Sequence, residues 1–83
     1  MSDLTLELTE GRKCVSIYVD GILHLQFLRA ELIGFQAFIE DREAPTMHCV
    51  EFTFRTGATI LVEWTSYGDW KRYVALLKDR LSF

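Results

Sequence analysis

The chain has few of the residues that mark secreted, metal-binding or membrane-spanning proteins. It contains only two cysteines, Cys14 and Cys49, whereas a secreted domain of this size usually carries four or more in pairs. No stretch reaches the roughly 18 apolar residues that a membrane-spanning helix needs. The start of the chain lacks the basic segment and apolar run of a signal peptide. We therefore expect a soluble, cytoplasmic protein with two free thiols and no membrane contact.

Glycine and proline are also scarce. The five glycines are scattered and form no phosphate-binding loop, and the single proline, Pro45, lies in the loop segment DREAPT. We interpret the carboxylates near this loop as solvated rather than as a catalytic pair; they are Glu40, Asp41 and Glu43. The chain shows no repeat and no linker, so residues 1–83 are predicted to form a single domain.

The charge distribution does not favour nucleic-acid binding, which requires a basic surface. The net charge is −3. Residues 69–83 carry four basic and two acidic residues, whereas the rest of the chain carries five basic and ten acidic residues. We interpret the two parts as attracting each other within one fold. Any nucleic-acid contact would fall to the basic side chains of the C-terminal segment, which are Lys71, Arg72, Lys78 and Arg80.

The C-terminal segment is predicted to form an amphipathic helix over about residues 67–81. Ser66 and Asp69 have the spacing of a capping box, in which both side chains accept from free backbone N–H groups. Apolar residues then recur at helical spacing and form one stripe, which needs a flat apolar surface to pack on. The stripe comprises Trp70, Tyr73, Val74, Leu77 and Leu81.

Residues 47–65 supply that surface, because their apolar and polar residues alternate as in two half-buried strands. Between the strands lies Arg55-Thr56-Gly57. A three-residue hairpin loop has its left-handed residue last, where this chain has glycine. The resulting register sets Phe52 opposite Ile60. A shift by two residues would set two glutamates opposite each other, which is unfavourable.

A second hairpin is indicated by Asp20-Gly21 between two alternating segments. Pairing of Val19 with Ile22 and strict alternation predict two mixed faces. One face would carry Val15, Ile17, Ile22, His24 and Gln26. The other would carry Cys14, Ser16, Tyr18, Leu23, Leu25 and Phe27. Neither face is plainly polar, so both are expected to be partly covered.

The remaining elements complete an α+β fold. Residues 4–8 alternate as one more strand, and residues 28–40 are interpreted as a bend near 29–31 followed by a strand over 32–40. The prediction is a bent antiparallel sheet of five or six strands, with the C-terminal helix packed on one face. The alternative is a helix over 22–42, which would give the order β-hairpin, helix, β-hairpin, helix.

Strands followed by a C-terminal helix that carries a tryptophan, here Trp70, resemble the element order of pleckstrin-homology-like domains. The resemblance is architectural and implies a bent sheet closed by the helix. The chain lacks the basic loop that such domains use for phosphoinositides. No function is carried over from this likeness.

The stretch MHCVEFTF offers the residues with the most reactive side chains. Cysteine catalysis requires an imidazole within hydrogen-bond reach of the thiolate. On a strand, however, the neighbours His48 and Cys49 point to opposite faces. Together with His24 they are the candidate pocket or reactive residues, but their spacing matches no metal motif. We assign no catalytic residue, no metal site and no cofactor.

Surplus apolar side chains favour an interaction protein over an enzyme. Grouped exposed apolar residues mark interfaces, and the candidates are Tyr18, Phe38, Leu61, Leu76 and Phe83. We therefore predict a small non-catalytic interaction or assembly module, homodimeric or bound to another protein through an apolar patch and an edge strand. The alternative is a small-ligand-binding protein or minor enzyme with a pocket between sheet and helix.

Overall fold

A computed structural model describes residues 2–41 and 46–81 of the chain. Within these residues the fold is α+β, with six strands and a C-terminal α-helix. The strands form two three-stranded antiparallel sheets rather than one bent sheet. The first sheet contains β1 (Leu4–Thr9), β2 (Cys14–Val19) and β3 (Ile22–Leu28), in that order. The second contains β4 (Leu32–Glu40), β5 (Met47–Phe54) and β6 (Thr59–Trp64), and α1 spans Tyr67–Leu81.

A short 3-10 turn, Arg29–Glu31, connects the two sheets. Its backbone is bonded to both sides: the Arg29 N–H donates to the Lys13 carbonyl at 2.8 Å, and the Glu31 carbonyl accepts from the Arg55 N–H at 2.8 Å. The predicted bend and the predicted strand over 32–40 are therefore confirmed. The alternative of a helix over 22–42 is wrong, because β3 and β4 are both paired in ladders.

The hairpin of β5 and β6 has the predicted register. Phe52 lies opposite Ile60. Gly57 has a φ of 90° and donates its N–H to the Phe54 carbonyl at 2.9 Å. The Phe54 N–H in turn donates to the Ala58 carbonyl at 2.9 Å. The left-handed glycine thus closes the loop where the sequence places it.

The hairpin of β2 and β3 also has its predicted turn, with positive φ at Asp20 and Gly21. Its faces, however, differ from the prediction. A β-bulge interrupts the ladder, because Tyr18 lies opposite Leu23 but Ile17 lies opposite Leu25. The extra residue is His24.

The bulge reverses the faces of β3 beyond His24. Leu25 and Phe27 lie opposite Ile17 and Val15, and so share the core face with them. Gln26 lies on the other face, where its Nε2 donates to the Ser16 hydroxyl at 2.9 Å. The predicted assignment of Leu25, Gln26 and Phe27 is wrong because strict alternation fails wherever one strand carries an extra residue.

The core lies where the apolar faces of both sheets meet the helix. Each sheet and α1 contribute to one cluster of buried side chains. Its members are Leu6, Val15, Ile17, Leu32, Val50, Phe52, Phe54, Val62, Tyr73, Leu77 and Leu81. The predicted stripe of α1 is confirmed, since its three innermost members belong to this cluster. Among the described residues, no helix combines the length and the apolar character needed to cross a membrane.

Only the Ser66 half of the predicted capping box is formed at the start of α1. The Ser66 hydroxyl accepts from the Asp69 N–H at 3.2 Å. The Asp69 carboxylate does not accept the second hydrogen bond of the capping box. It accepts from the Ser2 N–H at 3.2 Å and lies 3.4 Å from Nη1 of Arg72. Asp69 therefore ties the start of the chain to the helix, which the spacing alone does not reveal.

Candidate functional site

A groove runs between the edge strand β4 and the helix α1. Its volume is about 360 Å³. We call it the β4–α1 groove; it is lined by Ala37, Tyr67, Trp70, Lys71, Val74, Ala75 and Lys78. Most of these residues are apolar, and the helix provides all but one of them.

Small side chains line the groove on both the strand side and the helix side. Ala37 pairs with the fully buried Val50, so its methyl group lies on the face of β4 that the helix covers. On α1, Ala75 leaves space in the same way. The two alanine methyl groups are too small to fill the space between strand and helix.

Aromatic rings form one end of the groove. The ring centroids of Tyr67 and Trp70 are 5.8 Å apart, and His48 lies behind them at 5.6 Å and 5.3 Å respectively. Trp70 is held in place because its Nε1 donates to the Cys49 carbonyl at 3.0 Å. Tyr67 remains 52% exposed. A fixed and partly exposed aromatic wall is typical of the centre of a binding surface.

The rim of the groove is basic. Lys71 and Lys78 line it, and among the described residues no acidic side chain does. The Lys71 ammonium lies 5.5 Å from the Tyr67 ring centroid, within cation–π range. An apolar floor with two cations suits an apolar segment that also carries negative charge.

The strand beside the groove is itself open on one side. Within residues 2–41 and 46–81, β4 is hydrogen-bonded to β5 and has no second strand next to it. Ile39 of β4 lies opposite His48, on the helix side, and is 52% exposed. An exposed edge strand can pair with another strand through its backbone.

The three residues predicted as reactive do not come together. His48 belongs to the aromatic end of the groove. Cys49 is fully buried on the opposite face of β5. His24 lies in the bulge of β3, with its ring centroid 6.2 Å from that of Tyr73 and 6.3 Å from that of Trp64. Their role as a reactive group stays a prediction.

Two buried donors near His24 have no partner within the described residues. These are the hydroxyl of Tyr73 and the Nε1 of Trp64. Because Tyr73 is fully buried, desolvation raises the pKa of its hydroxyl. Partial burial lowers the pKa of His24 from 6.5. In both side chains, burial thus favours the uncharged form.

The residues predicted for an interface lie apart from the groove. Tyr18 faces outward on β2, while Phe38 and Leu61 lie on the outer face of the second sheet, with Phe38 opposite Cys49. Leu76 lines a separate depression on α1 together with Leu4. Phe83 lies outside the described residues. Their role in an interface stays untested.

The helix side of the groove was not predicted from the sequence. Tyr67, Lys71 and Lys78 lie at positions i, i+4 and i+11, which form one continuous face of a helix. The missed signal is that this face also carries an exposed aromatic residue, which is uncommon for a purely solvated surface.

The described residues contain no group of three or more His, Cys, Asp or Glu side chains that could hold a metal ion. Both cysteines are free thiols.

Comparison with known proteins identifies no relative: no family model, curated protein or solved structure matches this chain. The groove and the open strand next to it are therefore the basis for a functional proposal.

Proposed function

We propose that this protein is a non-catalytic interaction module that forms a homodimer through β4 and the β4–α1 groove. In the proposed dimer the two β4 strands pair antiparallel around a two-fold axis and join the second sheets of both copies. The observation that carries the proposal is that an unpaired edge strand and an apolar groove lie side by side on one surface. Such a surface can be complementary to itself, as a two-fold interface requires.

The residues of β4 fit the groove of a second copy. Phe35, Ala37 and Ile39 share the face of β4 that lies on the helix side. In an antiparallel pair of β4 strands, these side chains extend the apolar floor of the partner's groove. Ile39 is more than half exposed in the single chain, so its burial supplies a hydrophobic gain on association.

The positions of the charged side chains also favour antiparallel pairing of the two β4 strands. The helix begins beside His48, which pairs with Ile39, and ends where the Leu81 carbonyl accepts from Nη2 of Arg29 at 3.0 Å. Lys78 therefore lies towards the Leu32 end of β4. Antiparallel pairing places the second copy's Asp41, which follows β4 directly, at this same end. An acidic side chain thus approaches a basic groove, which favours the pairing.

Sedimentation at two concentrations, about 5 μM and about 500 μM, tests the proposal, because an interface made by one strand and one groove is expected to have a micromolar or weaker Kd. The wild type should shift from monomer to dimer. Ile39→Lys should keep it monomeric at the higher concentration, since a charge would be buried in an apolar contact. The matched control is Ile22→Lys, which changes an even more exposed isoleucine on the edge strand of the other sheet.

A charge exchange sharpens the test. Lys78→Glu should weaken the dimer by repelling Asp41 of the second copy, and the double variant Lys78→Glu, Asp41→Lys should recover it. A wild type that stays monomeric at the higher concentration would remove the proposal. An equal loss of dimer in Ile22→Lys and Ile39→Lys would move the interface to another surface.

A further inference from the structure

Two lysines stand at the two ends of the apolar floor of the β4–α1 groove. Lys71 and Lys78 both line the groove. They are seven residues apart on α1, which is nearly two full turns, so their side chains leave the same side of the helix about 10 Å apart. Val74 and Ala75 line the groove between them, and Ala37 lines its strand side. The groove therefore has an apolar floor with a cation at each end.

The two lysines differ in what they contact. The Lys71 ammonium lies 5.5 Å from the Tyr67 ring centroid, so this cation is already in contact with an aromatic face. Lys78 is exposed, and it has no hydrogen-bond or ion-pair partner in the described part of the chain. Lys78 is consequently the cation that can pair with an anion entering the groove.

Trp70 provides a fixed apolar wall at the far end of the floor. Its ring is held because Nε1 donates to the Cys49 carbonyl at 3.0 Å. Trp70 precedes Lys78 by eight residues, which is about 12 Å along the helix axis. The groove volume of about 360 Å³ lies within the range that holds a small organic molecule. These dimensions suit a ligand with an acidic head at Lys78 and an apolar body that reaches the Trp70 ring.

We propose that the β4–α1 groove binds a small amphiphilic carboxylate, with one acidic head and an aromatic or medium-length aliphatic body. The carboxylate accepts from the Lys78 ammonium at the rim, and the body lies along Val74 and Ala75 against the Trp70 ring. Burial of the apolar body supplies most of the affinity. The charge pair selects the acid over neutral and cationic analogues of the same shape.

Such a ligand takes the place of a second copy of this chain. Its carboxylate occupies the position at Lys78 that Asp41 of the second copy approaches in the proposed dimer. Its body covers the floor that Ile39 of the second copy extends. Because the ligand then binds the monomer and not the dimer, it favours dissociation by mass action. This competition rests on the proposed dimer, whereas binding of the ligand to the groove does not.

Titration with phenylbutyrate, phenylbutanol and phenylbutylamine tests the ligand class, since these probes share one body and differ in the charge of the head. At about 50 μM protein, the acid should shift the indole N–H resonance of Trp70 with a Kd of about 1 mM. It should leave the resonance of Trp64, which does not line the groove. The acid should bind about threefold more tightly than the alcohol, and the amine more weakly than either. Equal affinity for all three probes, or equal shifts at both indoles, would overturn the proposal.

Two charge variants locate the acidic head. Lys78→Gln should abolish the preference for the acid over the alcohol and leave the affinity for the alcohol unchanged. Arg80→Gln is the matched control, because it removes one positive charge from the same turn of α1 but does not line the groove. An unchanged preference in Lys78→Gln, or the same loss in Arg80→Gln, contradicts the pairing with Lys78.

Sedimentation at about 500 μM protein with and without about 10 mM phenylbutyrate tests the competition. A dimer that dissociates with the acid and persists with the amine supports it. A dimer that persists with the acid overturns it. A wild type that is monomeric without any probe removes the proposed dimer and the competition together, and the titration then decides the ligand site by itself.

Discussion

Replacement of Tyr73 by phenylalanine is expected to stabilise this protein, which is the opposite of the usual effect of removing a buried hydroxyl. Tyr73 is fully buried in the middle of α1, and its hydroxyl has no partner within the described residues. In the unfolded chain the same hydroxyl is hydrated. Folding therefore removes a hydrogen bond to water that nothing in the core replaces.

The size of the effect follows from two opposing terms. An unsatisfied buried hydroxyl costs about 1–3 kcal/mol. The void left by one oxygen atom costs a few tenths of a kcal/mol, at about 24 cal/mol per Å³. The ring remains, so its contacts with Trp64 at 5.2 Å and Phe52 at 6.5 Å between centroids are retained. Tyr73→Phe should increase the free energy of unfolding by about 1 kcal/mol and raise the Tm by about 4–8 °C.

Urea or thermal unfolding at pH 7 and low protein concentration measures the difference. Tyr67→Phe is the control, because Tyr67 is 52% exposed and its hydroxyl keeps its water in the folded state. Ultraviolet absorption adds a second readout. Burial raises the pKa of Tyr73 above its ordinary value of 10.0, so folding favours the protonated form. Stability should therefore fall as the pH rises above 10, and less so in Tyr73→Phe.

A loss of stability in Tyr73→Phe would refute this reasoning. It would show that the hydroxyl is satisfied in solution, and an ordered water shared with Nε1 of Trp64 would be the first explanation to examine. An unchanged stability in both variants would place the desolvation cost below the resolution of the measurement and contradict the magnitude given above.

Three further changes test other local features. Gly57→Ala should destabilise the protein by about 1 kcal/mol, because Gly57 has a φ of 90°. The added Cβ would meet no atom within 4 Å, so the change measured by urea unfolding reports backbone strain alone. Ser66→Ala should cost about 1 kcal/mol through loss of the cap on the Asp69 N–H, and Ser66→Asp should restore most of it. Since partial burial lowers the pKa of His24 from 6.5, the unfolded state binds more protons below neutral pH. The free energy of unfolding should decrease as the pH falls from 7 to 5, and it should decrease less in His24→Gln. Equal pH profiles for both proteins would contradict the assignment of this effect to His24.

The parts of the fold that depend on neighbouring residues could be predicted from the sequence. Ser66 and the apolar stripe define α1 because capping and helical spacing act within a few residues. Gly57 defines the β5–β6 hairpin for the same reason. The division of the strands into two sheets could not be predicted, because it depends on how the 3-10 turn at residues 29–31 bonds to both sides.

The β4–α1 groove could not be predicted from the sequence either. Ala37 and Ala75 are ordinary residues in their own elements, and only the tertiary fold places them beside the same space.

The bulge at His24 explains how the first sheet meets the second. Phe27 reaches Phe52 and Phe54 of the second sheet, with ring centroids 5.8 Å and 5.4 Å apart. In an unbulged ladder Gln26 would face those rings and Phe27 would face outward. Exposing the phenylalanine would forfeit about 1.5–3 kcal/mol, and burying the unpaired amide would cost about 1–3 kcal/mol more. These terms outweigh the ladder interactions that a single bulge disrupts, so the bulged register is preferred.

The same reasoning predicts the outcome of two deletions of one residue each. Deleting His24 removes the extra residue and leaves Leu25 and Phe27 opposite the partners they already have, so the protein should fold with a regular ladder. Deleting Gln26 forces either Leu25 or Phe27 out of the core and should cost at least about 2 kcal/mol more. Urea unfolding of the two deletion variants compares them directly. Equal stability would mean that the bulge does not set the faces of β3.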